Sequence, residues 1–123
     1  MPMTQEELMH YENLIYLPMV LAVLKQDREH FVEMSFKFAR PYQEIIDNAI
    51  KAVESDYRFS KIYNSKRYYK LVKYEQNKTN TTYQCAFRGT EERLAYQHEE
   101  MRDRTEKLIS VYFSKSVGVN PLP

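Results

Sequence analysis

The sequence predicts a small α+β protein in which helix dominates, and three patterns carry that prediction. The first half repeats apolar residues every three or four positions. The stretch from about 57 to 88 breaks into short β-branched and aromatic runs parted by turn residues, and the last third returns to a helical step. A chain of 123 residues with 43% apolar and 28% charged content fits one domain that buries its core without disulfides or structural metal. Residues 1–116 are expected to form that domain, with 117–123, which hold Gly118 and two prolines, as a flexible C-terminal tail.

Taken in order, Thr4-Gln5-Glu6-Glu7 is a capping box and starts the first helix. Leu8, Tyr11, Leu14 and Ile15 keep helical spacing, and Pro18 is expected to kink or break this helix before a second segment to Lys25. Asp27 caps the next long helix, whose apolar positions Phe31, Met34, Phe38, Tyr42, Ile45, Ala49 and Val53 run to about Glu54 with a kink or break at Pro41.

A three-stranded antiparallel meander is then expected over about 57–88. Its strands are Tyr57 to Tyr63, Arg67 to Glu75 and Thr81 to Arg88, with turns at Asn64-Ser65 and Gln76 to Asn80. Segment 66–76 is open to a second reading, because Ser65 could cap a short helix from Lys66. In the third strand Tyr83, Cys85 and Phe87 alternate with polar or small residues, as in a strand with one buried face. Gly89 ends the sheet and Thr90 caps a final helix over about 91–114, with Glu91 and Glu92 where the helix dipole favours anions.

Charge is segregated along the chain. Between Arg58 and Lys78 seven cations face one acid, Glu75, while residues 1–57 carry five cations and ten acids and residues 79–123 carry six of each. The basic stretch is threaded with aromatics, so Arg58, Lys61, Lys66, Arg67, Tyr68, Lys70, Lys73 and Tyr74 are the expected partner-binding residues. Cations with exposed tyrosines suit the phosphates and bases of RNA or DNA, and equally an acidic protein surface. The last helix offers a second surface. Leu94, His98, Met101, Thr105, Leu108 and Tyr112 make a stripe whose polar members fit a self-association interface better than a dry core.

Two nucleic-acid-binding topologies meet objections in the charges. A double-stranded-RNA-binding order of elements would need lysines where the last helix begins with Glu91-Glu92, and a winged helix would present Glu44, Asp47 and Glu54 to DNA.

No pattern names a reaction. Glu7 and His10 stand at i, i+3 as in carboxylate-bridged metal sites, but such a pair by itself does not make a site, and His10 and His30 are expected at the surface. Cys85 points inward with no histidine near in sequence, and the adjacent carboxylates at Glu6/Glu7, Glu91/Glu92 and Glu99/Glu100 diverge around a helix. Two glycines in the whole chain leave no phosphate-cradling loop. The eleven-residue apolar run from Leu14 to Leu24 is too short to span a bilayer, and a single cysteine with no signal segment reads as cytoplasmic.

The expectation is a non-catalytic cytosolic adaptor or regulator. It would bind protein through a basic sheet face, the C-terminal helix or both, with RNA or DNA as the alternative partner of 58–78. The partner is another protein with an acidic surface or a second copy of the chain. Neither a cofactor, a metal, a membrane nor a small-molecule substrate is indicated.

Overall fold

The computed structural model describes residues 2–33 and 39–117. Helix α1 spans Gln5–Glu33 and helix α2 spans Ala39–Lys66. The antiparallel strands β1 (Lys70–Gln76), β2 (Asn80–Phe87) and β3 (Thr90–Gln97) follow, and helix α3 (His98–Ser116) closes the fold. The architecture is the expected one, two long N-terminal helices, a three-stranded meander in the order β1-β2-β3 and a C-terminal helix.

Its boundaries differ from expectation in ways that matter for the surface. Helix α1 runs through both Pro18 and Asp27 without interruption, so Pro18 does not break it and Asp27 caps nothing. Pro41 stands in the first turn of α2, where its missing N–H has no intrahelical acceptor to lose. Met34 and Phe38, and the tail from Gly118, lie outside the described residues.

The expected first strand, Tyr57 to Tyr63, and its turn at Asn64-Ser65 are instead the last turns of α2, which does not stop at Glu54. Val53, Ser60 and Asn64 explain this. They are buried at a spacing of seven and four, the inward face of a helix on α1, although two of the three are polar and hide the pattern. The missing strand is supplied from the other side. Residues 90–97, expected as the start of the last helix, form β3 because Arg88-Gly89 makes a two-residue hairpin turn between the paired Phe87 and Thr90. Both turn residues have positive φ (49° and 72°), and the glycine adopts this at no steric cost. Glu92, Leu94 and Tyr96 then alternate inward along β3, and α3 starts at once at His98 with no loop between them.

Helix α1 is the common wall of the core. Its second half contributes Leu17, Val20 and Leu24 to a cluster with Ile46, Ala49, Ile50 and Val53 of α2 and Tyr112 of α3. Its first half lies under the sheet, where Tyr11 packs on Cys85 and Phe87, and Ile15 and Tyr16 pack with Met101. An ion pair and a side-chain hydrogen bond fasten these layers. Arg104 of α3 makes a two-pronged contact with Glu12 of α1 at 2.8 and 2.9 Å, and Tyr112 donates to Asp56 of α2 at 2.6 Å. Among the described residues no helix is long and apolar enough to cross a membrane.

Candidate functional site

One residue of the basic stretch, Lys73, and three of the expected stripe, His98, Met101 and Thr105, meet in one cleft. It has a volume of about 640 Å³ and lies between α1, α3 and the β1 side of the sheet. Its apolar wall is Met19 and Val23 of α1, one turn apart, facing Met101 and Ile109 of α3, with Tyr83 of β2 beside them. Lys73 of β1 and Arg102 of α3 bring positive charge to its lining, against a single acid, Glu106. Among the described residues neither cation is in an ion pair.

His98 also lines the cleft, but its ring is fixed. The Nδ1 atom lies 3.2 Å from the Lys78 carbonyl oxygen, which only a donor can satisfy, and Nε2 lies 2.8 Å from the Thr81 hydroxyl, which it accepts. Its backbone N–H donates to the Thr79 carbonyl at 2.7 Å. His98 is therefore a pinned wall residue. Thr105 is occupied too, donating to the Met101 carbonyl one turn back at 2.7 Å.

β1 is an edge strand, since the sheet order leaves one of its sides unpaired within the sheet. Lys73 and Gln76 of this strand line the cleft. An extended segment lying there would therefore run beside unpaired backbone N–H and C=O groups as well as an apolar wall.

The remaining predicted residues are more dispersed than a basic sheet face requires. Arg58, Lys61 and Lys66 are on α2, Arg67 and Tyr68 are in the turn after it, and only Lys70, Lys73 and Tyr74 are on β1. Across the outer sheet face, Lys70 and Arg93 are balanced by Glu75 and Glu91, so that face is not basic. Tyr74 is partly covered, with the Arg93 guanidinium 3.8 Å above its ring. Of the α3 stripe, Met101, Thr105 and Tyr112 are buried inside the chain, Leu94 and Leu108 pack against the core, and Leu94 belongs to β3 rather than the helix.

A buried polar seam between α1 and α2 was hidden from sequence reasoning. His10, expected at the surface, is buried, its Nδ1 2.9 Å from the hydroxyl of Ser60, which also accepts from Asn13 at 2.9 Å. The ring stacks on Tyr63 at 3.8 Å, and burial pulls the imidazole below its ordinary value of 6.5. Ser60 is fully buried, so this serine–histidine contact has no access to a substrate. The signal available was Ser60 and Asn64 continuing the buried face of Val53.

Nearby, Glu7 closes the capping box with Thr4 and accepts from Tyr69 and from Arg88 in a two-pronged contact at 2.8 and 2.9 Å. The Arg88 guanidinium holds this carboxyl down at about 2, although burial pushes the other way. Glu7 and His10 thus serve different partners. Cys85 is buried, and that burial pushes its thiol up to about 12, the behaviour of an inert core cysteine.

This arrangement has a counterpart among known sequences, since the family model described as YhjD protein matches residues 2–117, every described element included. The chain belongs to the YhjD protein family. A YhjD relative in Bacillus subtilis (strain 168), bearing the name uncharacterized protein YhjD, is 26% identical over 113 residues, 91% of this chain and 94% of its own length. The similarity therefore runs through both helices, the sheet and α3 of the YhjD fold. No solved structure matches the chain.

Proposed function

We propose that the chain is a non-catalytic adaptor or regulator that receives an extended acidic and apolar segment of a partner protein in the cleft between α1, β1 and α3. The observation that carries this reading is the conjunction of Lys73 and Arg102, neither in an ion pair among the described residues, with the wall formed by Met19, Val23, Met101 and Ile109 beside an edge strand. Each part answers one need of such a segment. The apolar wall takes its hydrophobic side chains, the cations its carboxylates, and the free edge its backbone. A non-catalytic role is supported by the inaccessible Ser60–His10 contact, the inert Cys85 and the pinned ring of His98. A cytoplasmic setting is supported by a lone buried cysteine.

The test compares proteins recovered from host cells by the wild type and by a variant carrying Lys73→Glu with Arg102→Glu. A partner captured by the wild type and lost with the variant is expected, and identical recoveries from both would refute the cleft. Self-association is read in the same preparations by sedimentation. A dimer disrupted by the variant would make the partner a second copy. RNA or DNA is the alternative partner of the basic residues, and it predicts loss of binding with Lys66→Glu and Arg67→Glu beside the exposed Tyr68 rather than with the cleft variant.

A further inference from the structure

The last two turns of α2 and the turn after them form a surface of a different kind. Phe59 and Ile62, three residues apart on the outward side of the helix, are 65% and 47% exposed, and Tyr68 just beyond the helix end is 88% exposed. Arg58 and Lys66 each lie one helical turn from Ile62, and Lys61, Arg67 and Lys70 belong to the same exposed stretch. No acid occurs between Tyr57 and Tyr74. Among the described residues none of these five cations is in an ion pair. Arg67 lies 3.6 Å from the Tyr63 ring centre and donates to the Tyr63 carbonyl, which anchors the side chain and leaves its charge uncompensated.

A single exposed phenylalanine is ordinary. Large apolar side chains set among uncompensated cations ask for a partner that accepts both. Phe59 and Ile62 line neither the cleft beside β1 nor the hollow at the β2–β3 turn, and they stand exposed at the C-terminal tip of α2. A protruding tip suits a fluid surface that conforms to it, and a strand of nucleic acid would neutralise the cations while offering nothing to the aliphatic Ile62. The headgroup boundary of an anionic bilayer takes up apolar side chains and attracts lysine and arginine at once.

We propose that this tip docks the protein reversibly on membranes rich in anionic phospholipid, with Phe59 and Ile62 entering the boundary and Arg58, Lys61, Lys66, Arg67 and Lys70 meeting the phosphates. The inference is independent of the cleft. It became visible because 57–66 is helix. On a strand Phe59 would share a face with Tyr57 and Tyr63 and Ile62 would lie opposite, whereas the helix brings Phe59 and Ile62 together.

The chain has no tryptophan, so Phe59→Trp supplies a single fluorescent reporter at the tip. The probes are vesicles of phosphatidylcholine alone and of phosphatidylcholine mixed with phosphatidylglycerol. Co-sedimentation and a blue-shifted emission are expected with the mixed vesicles only, weakening as salt is raised. Lys61→Glu with Lys66→Glu should weaken binding about tenfold or more, given about 1 kcal/mol per cation near an anionic surface. Phe59→Ser with Ile62→Ser should weaken it at unchanged charge, and because Phe59 also lies 5.6 Å from the His10 ring, Ile62→Ser alone should weaken it in the same direction with the fold intact by circular dichroism. The cleft variant Lys73→Glu with Arg102→Glu should keep vesicle binding.

The proposal is overturned by an absence of binding to mixed vesicles at low salt, by an emission that stays that of a water-exposed indole, or by serine variants that bind as well as the wild type. Tight, salt-sensitive binding of a single-stranded oligonucleotide that depends on Tyr68, without vesicle binding, would assign the tip to nucleic acid instead.

Discussion

At the N-terminal end of α1 the Glu7 carboxylate accepts from Thr4, Tyr69 and Arg88, and Arg88 also donates to the Pro2 carbonyl at 2.9 Å. Removing one partner of a buried pair leaves the other desolvated, so Glu7→Gln is expected to cost about 3 kcal/mol in urea unfolding. The same carboxyl sets an acid limit. It lies at about 2 when folded against an ordinary value of 4.5, so its contribution is complete above about 4.5 and is lost as pH falls toward about 2. His10 adds an earlier stage. Its folded value is also depressed, so the unfolded chain takes up a proton first and stability declines as pH falls below about 6.5. Urea midpoints measured from neutral to acid pH should therefore drop in two stages, and His10→Asn should remove the upper stage alone. One curve with a single carboxylate step would refute the role given to His10.

Two elements hold conformations that their sequences resist. Pro18 sits inside an unbroken α1 and is exposed, and its lack of an N–H leaves the Leu14 carbonyl without its usual partner. Pro18→Ala should restore that hydrogen bond and raise stability by about 1–3 kcal/mol in thermal unfolding. A loss of stability would mean that packing in the second half of α1 depends on the proline. In the β2–β3 turn, Arg88 takes a left-handed conformation that glycine would adopt without cost, yet Arg88→Gly should lower the urea midpoint, because the lost Glu7 contact outweighs the relieved strain. In that background Glu7→Gln should cost little more, which a double-mutant cycle measures. These elements also mark where sequence reasoning worked. The capping box at Thr4–Glu7 and the inward set Tyr83, Cys85 and Phe87 were legible, because each is specified by local pattern. Tyr57 to Tyr63 was not, since its helical face toward α1 is carried by Ser60 and Asn64, and tertiary packing overrode the strand preference of its aromatics. Residues 90–97 imitated a helix start because Thr90-Glu91-Glu92 is good capping chemistry, and Leu94 fell by coincidence at helical spacing from His98 and Met101. Lys73 and the α3 stripe were both in view, but their meeting in one cleft depends on β1 and α3 lying at one edge of the fold, which neither segment encodes alone.

Across the whole molecule, α1 contributes to every apolar cluster, so the helical layer and the sheet cannot lose their order separately. Circular dichroism of the helices and tyrosine fluorescence near the sheet should accordingly report one coincident urea transition, and separated midpoints would show two independent units. The direct passage from Gln97 of β3 to His98 of α3 adds a constraint of another sort. A loop is slack in which an added residue can be absorbed, and here there is none. One residue inserted between Gln97 and His98 would turn all of α3 by about 100° about its axis. Met101, Thr105 and Tyr112 would rotate out of the core together, the Arg104–Glu12 contact would part, and the cleft would lose its α3 wall. The Asn77–Thr79 turn is held to this junction, since the His98 backbone N–H donates to the Thr79 carbonyl, so the same insertion would also part that contact. The junction works as a phase lock between the period of a strand and the period of a helix.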